Sequence, residues 1–210
     1  MSKTRHIYMV RHGETDMNRN ERLQGRIDCE LNDKGIADAQ SSHELFKNAG
    51  ICFDKVYSSP LKRALKTAEV ISGGMEVTPD PLITEMDFGR YEGVHYSEID
   101  KPMWAFFHDP ENAPAPEGVE PTAELTERTG RFISRLLGEE GDNVLVVTHG
   151  IALRSLLYNL SPASERSKVW GVPITNCIVY HLTVEDGNVL SAVYDDTLSV
   201  KVKGDTSGAF

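Results

Sequence analysis

Cysteine is scarce in this chain of 210 residues, with Cys29, Cys52 and Cys177 its only three. They are widely spaced and form no C-x-x-C pair, which argues against a disulfide framework and against a zinc site. Long apolar runs are missing as well. No segment approaches membrane-spanning length, and Met1–Val10 holds no apolar stretch long enough for a secretion signal, so a soluble cytoplasmic protein is expected. Positive charge is in short supply, because 22 lysines and arginines face 32 aspartates and glutamates, for a formal net charge of −10. Nucleic-acid and acidic-membrane surfaces depend on basic patches, so neither partner is expected. An anionic substrate would need positive charge gathered locally. Neither an H-E-x-x-H helix nor a GxxxxGK(S/T) loop occurs, which leaves zinc-hydrolase and P-loop chemistry without support.

What is present is ordinary globular composition, with 40% hydrophobic and 26% charged residues, in a length suited to a single domain, 1–210, with one sizeable core. Apolar strand-like runs cover His6–Val10, Phe53–Tyr57 and Asn143–Thr148, with two more around Asn176–Leu182 and Val189–Tyr194. The last two flank Gly187-Asn188 and predict an antiparallel hairpin. Between the runs lie helical patterns. One follows Asp33, a plausible cap, to about Asn48; another starts at Pro60 and passes Ile71; Glu120–Leu137 and Ile151–Asn159 supply two more. Met75–Thr78 reads as a short edge strand, Asp16–Asn32 as a long polar loop, and Lys201–Phe210 as a frayed tail. Alternating strands and helices predict an α/β fold, a three-layer α/β/α sandwich on a mostly parallel sheet with an antiparallel hairpin. Residues 80–119 break the pattern with prolines and the aromatics Trp104, Phe106 and Phe107, and read as an insertion over the site.

Two histidines emerge from the strand-like runs. Arg11-His12-Gly13-Glu14-Thr15 directly follows the first, and His149-Gly150 follows Asn143–Thr148. Ligands of open α/β sheets bind beyond the carboxyl ends of the strands, so both histidines stand where chemistry is done. Arg63 falls in or near the first turn of the Pro60 helix, where a cation opposes the helix dipole unless an anion is bound. Taken alone, Arg63 reads as a surface arginine, and either histidine as a packing residue. Taken together, Arg11, His12, Arg63 and His149 predict a compact cationic pocket in an acidic protein. Guanidinium forks match phosphate oxygens and stay charged at any working pH, so phosphate is the anion expected.

These residues carry a family resemblance. Arg11-His12-Gly13-Glu14-Thr15 with Asn18, then Leu23-Gln24-Gly25 with Asp28 and Leu31, Ser58-Ser59-Pro60-Leu61-Lys62-Arg63-Ala64 with Thr67-Ala68, Glu85 with Phe88-Gly89 and Glu92-Gly93, and Thr148-His149-Gly150 occur in order. The set resembles the histidine phosphatase superfamily, also called phosphoglycerate mutase-like, over nearly the whole chain. The resemblance implies His12 as nucleophile forming a phosphohistidine, with its other nitrogen oriented by a backbone carbonyl. It implies Arg11, Arg63 and His149 as the phosphoryl clamp, Asn18 as a neutral donor, and Gln24, Gly25 and Gly150 as further phosphate-binding positions. Glu85 matches the proton donor, in preference to the nearby Glu92, and Glu14 is expected to order the loop. No metal and no cofactor is implied.

The activity so implied is hydrolysis of a small phosphorylated metabolite without a metal. A phosphoglycerate mutase and a phospho-ligand binding module that turns nothing over are the alternatives. The Glu85 region, Phe88-Gly89-Arg90-Tyr91-Glu92-Gly93, resembles the phosphatase-like branch more than the mutases. Substrate identity stays open among broad use, sugar phosphates, α-ribazole 5′-phosphate and phosphoglycerate. Trp104, Phe106, Phe107 and Tyr91 either stack on a substrate ring or pack, and Arg22 and Arg26 are candidates for contacting a second acidic group. A homodimer is left open, because a strand edge can pair between subunits without a distinctive sequence mark.

Overall fold

The computed structural model describes residues 4–200. Six strands are found in the described residues: β1 (Thr4–Arg11), β2 (Lys55–Ser58), β3 (Thr78–Pro79), β4 (Asn143–Thr148), β5 (Val179–Glu185) and β6 (Asn188–Tyr194). They form one sheet in the order β3-β2-β4-β1-β5-β6. The first four in that order run parallel, while β5 is antiparallel to β1 and β6 to β5. The helices are α1 (Asp16–Arg19), α2 (Asp33–Asn48), α3 (Lys62–Ile71), α4 (Lys101–His108), α5 (Thr122–Leu137) and α6 (Gly150–Leu160).

The period of two in the central strands makes this a three-layer sandwich. Ile7, Met9, Val144 and Val146 face a core completed by Phe132, Ile133 and Leu136 of α5 and Leu153, Leu156 and Leu157 of α6. Tyr8, Val10, Leu145 and Val147 face the opposite core, against Ala39 and Phe46 of α2 and Ala64, Ala68 and Ile71 of α3. Cys177 sits in this second core as a small apolar residue, and burial pushes its thiol up to about 12. The expected α/β architecture is therefore the observed one.

Several boundaries differ from the sequence reading, each for a local reason. Asn32, not Asp33, caps α2, its side chain accepting from the Gly35 N–H at 2.8 Å. Helix α3 begins at Lys62 rather than Pro60, because Ser59 continues β2 by donating to the Val147 carbonyl at 3.0 Å. No local side chain caps α3; the Lys62 N–H instead donates at 2.7 Å to Asp28 of the distant polar loop. That loop contains the one-turn helix α1, closed by a capping box between Thr15 and Asn18. The edge strand is only Thr78–Pro79, not Met75–Thr78. Cys177 adopts φ 53°, so β5 starts later, at Val179. The hairpin turn is Asp186-Gly187, with positive φ at both, and Asn188 already opens β6.

The irregular stretch between β3 and α5 folds into three short 3₁₀ turns and α4, which Asp100 caps. It has its own core of Met86, Phe88, Tyr91, Ile99, Met103 and Phe106. The predicted frayed tail, Lys201–Phe210, lies outside the described residues.

Candidate active site

Strand register assembles the site. Arg11 of β1 pairs with Thr148 of β4, and Ser58 of β2 pairs with Val147. The next residue of each strand, His12, His149 and Ser59, therefore arrives at the same sheet edge. The His12 N–H extends the ladder by donating to the Thr148 carbonyl at 2.9 Å. The imidazoles of His12 and His149 lie 5.1 Å apart, tilted by 60°. His149 Nε2 is 2.7 Å from Ser59 Oγ.

His12 is 2% exposed, and its Nδ1 lies 2.7 Å from the Gly13 carbonyl. A carbonyl only accepts, so Nδ1 carries the proton and Nε2 presents a lone pair. Arg63 Nε donates toward that lone pair at 3.3 Å. Burial, then Arg63, then Arg11 hold His12 well below the usual histidine range, and burial followed by Arg63 does the same to His149. Both rings are neutral at neutral pH.

Arg63 is wholly buried, contrary to the surface reading it invites when taken alone. Its guanidinium donates to the carbonyls of Gly25 and Ile27, each at 2.7 Å, so the polar loop after α1 aims it. Gly25 needs its lack of a side chain, since its φ is +52° and a Cβ would lie 2.1 Å from Glu92 Oε1. Arg11 donates to the Ile174 carbonyl. Asn18 Oδ1 accepts from the Thr15 N–H at 3.2 Å, and Gln24 Oε1 accepts from the Thr15 hydroxyl at 3.0 Å.

Glu85 faces these cations from the insertion. Its Oε1 accepts from the N–H groups of Met86 (3.0 Å) and Ala152 (2.9 Å), and Oε2 from that of Ile151 at 3.2 Å. The carboxyl is thereby seated on the first turn of α6. Arg11, His12, Asn18, Arg63, Glu85 and Gly150 border one cavity, and Gln24 and Gly25 border it as well. Every residue expected in the nucleophile, clamp, acid and phosphate-binding set lines this cavity except His149, whose ring packs beside that of His12.

Other expectations resolve differently. Glu92 is a brace, its Oε1 accepting from the Arg26 and Phe88 N–H groups at 2.7 and 3.2 Å. Glu14 orders the loop through Arg19 and Asn32. Arg22 and Arg26 do not border the cavity. Arg22 donates to the Gly93 carbonyl at 2.7 Å, and Arg26 pairs with Asp87 and Glu120, both at 3.4 Å, tying the loop to the insertion. The aromatic cluster divides, with Phe106 and Tyr91 packing in the insertion's core, Trp104 stacking on His108, and Phe107 alone of the four reaching the cavity.

Sequence reasoning missed three supports. Asn176 Nδ2 donates to the His12 carbonyl at 2.8 Å. Tyr96 borders the cavity. Arg128 of α5 donates to the carbonyls of Leu82, Thr84 and Glu85 and pairs with Glu120 at 2.6 Å, fixing the backbone that carries Glu85. No short motif marks these residues, because each acts across the fold. Among the described residues no group of three or more His, Cys, Asp or Glu could hold a metal, and no helix is long and apolar enough to cross a membrane.

Fold and site define an α/β sandwich with a cavity lined by His12 and two arginines at the carboxyl ends of its parallel strands. The chain belongs to the histidine phosphatase superfamily (branch 1), whose sequence profile matches residues 7–197. It is 34% identical to phosphoglycerate mutase-like protein 4 of Arabidopsis thaliana, over 96% of this chain and 85% of that protein. It is also 34% identical to the adenosylcobalamin/α-ribazole phosphatase of Salmonella typhimurium, over 86% of each. A phosphoserine phosphatase from Entamoeba histolytica, solved as a mutant in complex with phosphoserine, superposes with a TM-score of 0.78 at 25% identity. That match covers 91% of this chain and 97% of the other.

Proposed function

We propose that this protein is a metal-independent phosphomonoester hydrolase acting on a small phosphorylated metabolite through a phosphohistidine at His12. The observation that carries the reading is the state of His12, with Nδ1 committed to the Gly13 carbonyl and Nε2 left as a lone pair beside a buried guanidinium. Nε2 attacks phosphorus and the ester P–O bond breaks. Glu85 gives its proton to the departing alkoxide, then takes one from the water that attacks the phosphohistidine, releasing inorganic phosphate and restoring His12. Arg11, Arg63 and His149 hold the equatorial oxygens, with Asn18, Gln24 and the backbone at Gly25 and Gly150 completing the cradle. The insertion around 80–119 supplies the acid and covers the substrate.

Phosphate release from a panel of phosphomonoesters in EDTA, with wild type beside His12→Ala, tests this. Release by wild type and its loss in the folded mutant support the mechanism. Isomerisation of 3-phosphoglycerate outpacing release would make the protein a mutase. Thermal protection by phosphate compounds with neither reaction would make it a binding module.

A further inference from the structure

The two ring nitrogens of His149 have different fates. Nε2 lies 2.7 Å from Ser59 Oγ, while Nδ1 is buried and has no partner among the described residues. Ser59 and His149 are both fully buried, so bulk water reaches neither. Counting donors and acceptors places the proton on this pair. Ser59 Oγ accepts from the Leu61 N–H at 3.3 Å, and the hydroxyl hydrogen has one acceptor within reach among the described residues, His149 Nε2. Nε2 is then a lone pair, and the ring proton sits on Nδ1. The opposite tautomer, with Nε2–H donating to Oγ, would leave the Ser59 hydrogen without an acceptor as well as Nδ1 without a donor. It strands two buried groups where the first strands one, and each stranded group is costly.

The one stranded group, Nδ1–H, calls for an acceptor. Besides burial, the groups that hold down the His149 pKa are Arg63, then His12, then Arg11, so the ring sits among the cradle's own residues. Ionised phosphoryl oxygens in that cradle accept and do not donate, so they suit an N–H and repel a lone pair.

We propose that Ser59 is a positioning residue of the phosphoryl-transfer step: its hydroxyl holds His149 in the Nδ1–H form, and Nδ1–H is the donor to the transferring phosphoryl group. The inference rests on the phosphatase reading and deepens it, since that reading makes His149 a clamp without naming its donor atom. His12 is held in the same tautomer by a different device, the Gly13 carbonyl, which takes up Nδ1–H and frees Nε2. The two histidines therefore present opposite nitrogens for opposite tasks, a lone pair from His12 and an N–H from His149. A histidine held in the wrong tautomer can cost about 10⁴-fold in kcat with the geometry otherwise intact.

Long-range proton to nitrogen correlation spectra of protein labelled with heavy nitrogen at histidine read the tautomer directly, with His149 assigned by its loss in His149→Asn. Wild type is expected to show a protonated Nδ1 and a bare Nε2, and saturating inorganic phosphate is expected to shift the Nδ1–H resonance. Ser59→Ala removes the hydroxyl without adding bulk, so the Nε2–H form should gain population, with kcat lowered about 10-fold or more and KM changed less. His149→Asn keeps an N–H near the place of Nδ1 and His149→Gln moves it toward Nε2, so the asparagine variant should retain about 10-fold more kcat/KM than the glutamine variant. A wild-type Nε2–H tautomer overturns the proposal, as does an Nδ1–H resonance that saturating phosphate leaves in place. A folded Ser59→Ala in which either the tautomer or kcat is unchanged removes Ser59 from the assignment. Absence of phosphate release from every ester overturns the phosphatase reading alone, because the tautomer and its response to inorganic phosphate are read without turnover.

Discussion

Replacing Arg128 with methionine tests whether Glu85 owes its position to a group outside the cavity. The Arg128 side chain is 12% exposed and that of its partner Glu120 7%. Methionine matches the stem but leaves the carbonyls of Leu82, Thr84 and Glu85 without their donors. Glu120 keeps the Asp87 N–H at 3.1 Å and the half-exposed Arg26, so its carboxylate is not abandoned. Removing one partner of a buried ion pair costs about 3–5 kcal/mol, and the retained contacts place this case near the lower figure. In a domain of this size that lowers Tm by about 6–12 °C. Catalysis suffers separately, because a carboxyl displaced by ~1 Å costs about 100-fold in the step it assists. In the proposed mechanism that step is protonation of the departing oxygen. Single-turnover rates, taken well below the melting temperature, should therefore fall about 100-fold on an alkyl phosphate. They should fall less than about fivefold on 4-nitrophenyl phosphate, whose phenolate leaves without a proton. Equal losses on both esters in a folded variant would refute the reasoning, as would full activity on the alkyl ester.

Three further outcomes follow from the geometry. His12 and His149 are held well below the usual histidine range in the folded protein, so below about pH 6.5 the unfolded chain takes up protons that the folded one does not. Stability should thus be level above about pH 6.5 and fall by up to about 1.4 kcal/mol per pH unit for each histidine below it. Melting curves from pH 7.5 down to about pH 5 check this, and His149→Asn should flatten the slope. Gly25→Ala forces a Cβ into the left-handed region and against Glu92, so a cost of about 1–3 kcal/mol is expected, with kcat/KM reduced as the Gly25 carbonyl leaves Arg63. An unaltered kcat/KM would dissociate that carbonyl from the clamp. Gly150→Ala meets only ordinary contacts at 3.8 Å, so the fold should hold or gain up to about 1 kcal/mol from helix propensity while activity drops. Retained activity would show that the cradle has room to spare there.

The parts of this molecule written in short-range pattern were readable from the sequence. Strand β4 was readable to the residue, since six consecutive positions suited to burial on both faces have no other use. His12, Arg11 and His149 were readable because they terminate such strands. Helix α4 was not, because Pro102 and the Asp109-Pro110 break confine it to eight residues, too few to display a period. Arg128, Asn176 and Tyr96 were hidden for a different reason. Arg128 and Asn176 act on partners 43 and 164 residues away, and nothing beside them in the chain records the pairing. Tyr96 reaches the cavity only through the fold of the insertion. Arg22 and Arg26 misled in the same way, their charges being answered by the insertion rather than by a ligand.

The anchoring of Arg11 and His12 by Ile174 and Asn176 bears on when the protein becomes competent during synthesis. His12 leaves the ribosome long before its supports, because Asn176, which holds its carbonyl, emerges 164 residues after it, and Ile174, which holds Arg11, emerges 163 residues after that arginine. A nascent chain long enough to have folded α2 and α3 still carries an unsupported His12. Onset of phosphate release on stalled chains of increasing length would thus be abrupt, and would mark docking of the segment between α6 and β5 as the event that completes the site.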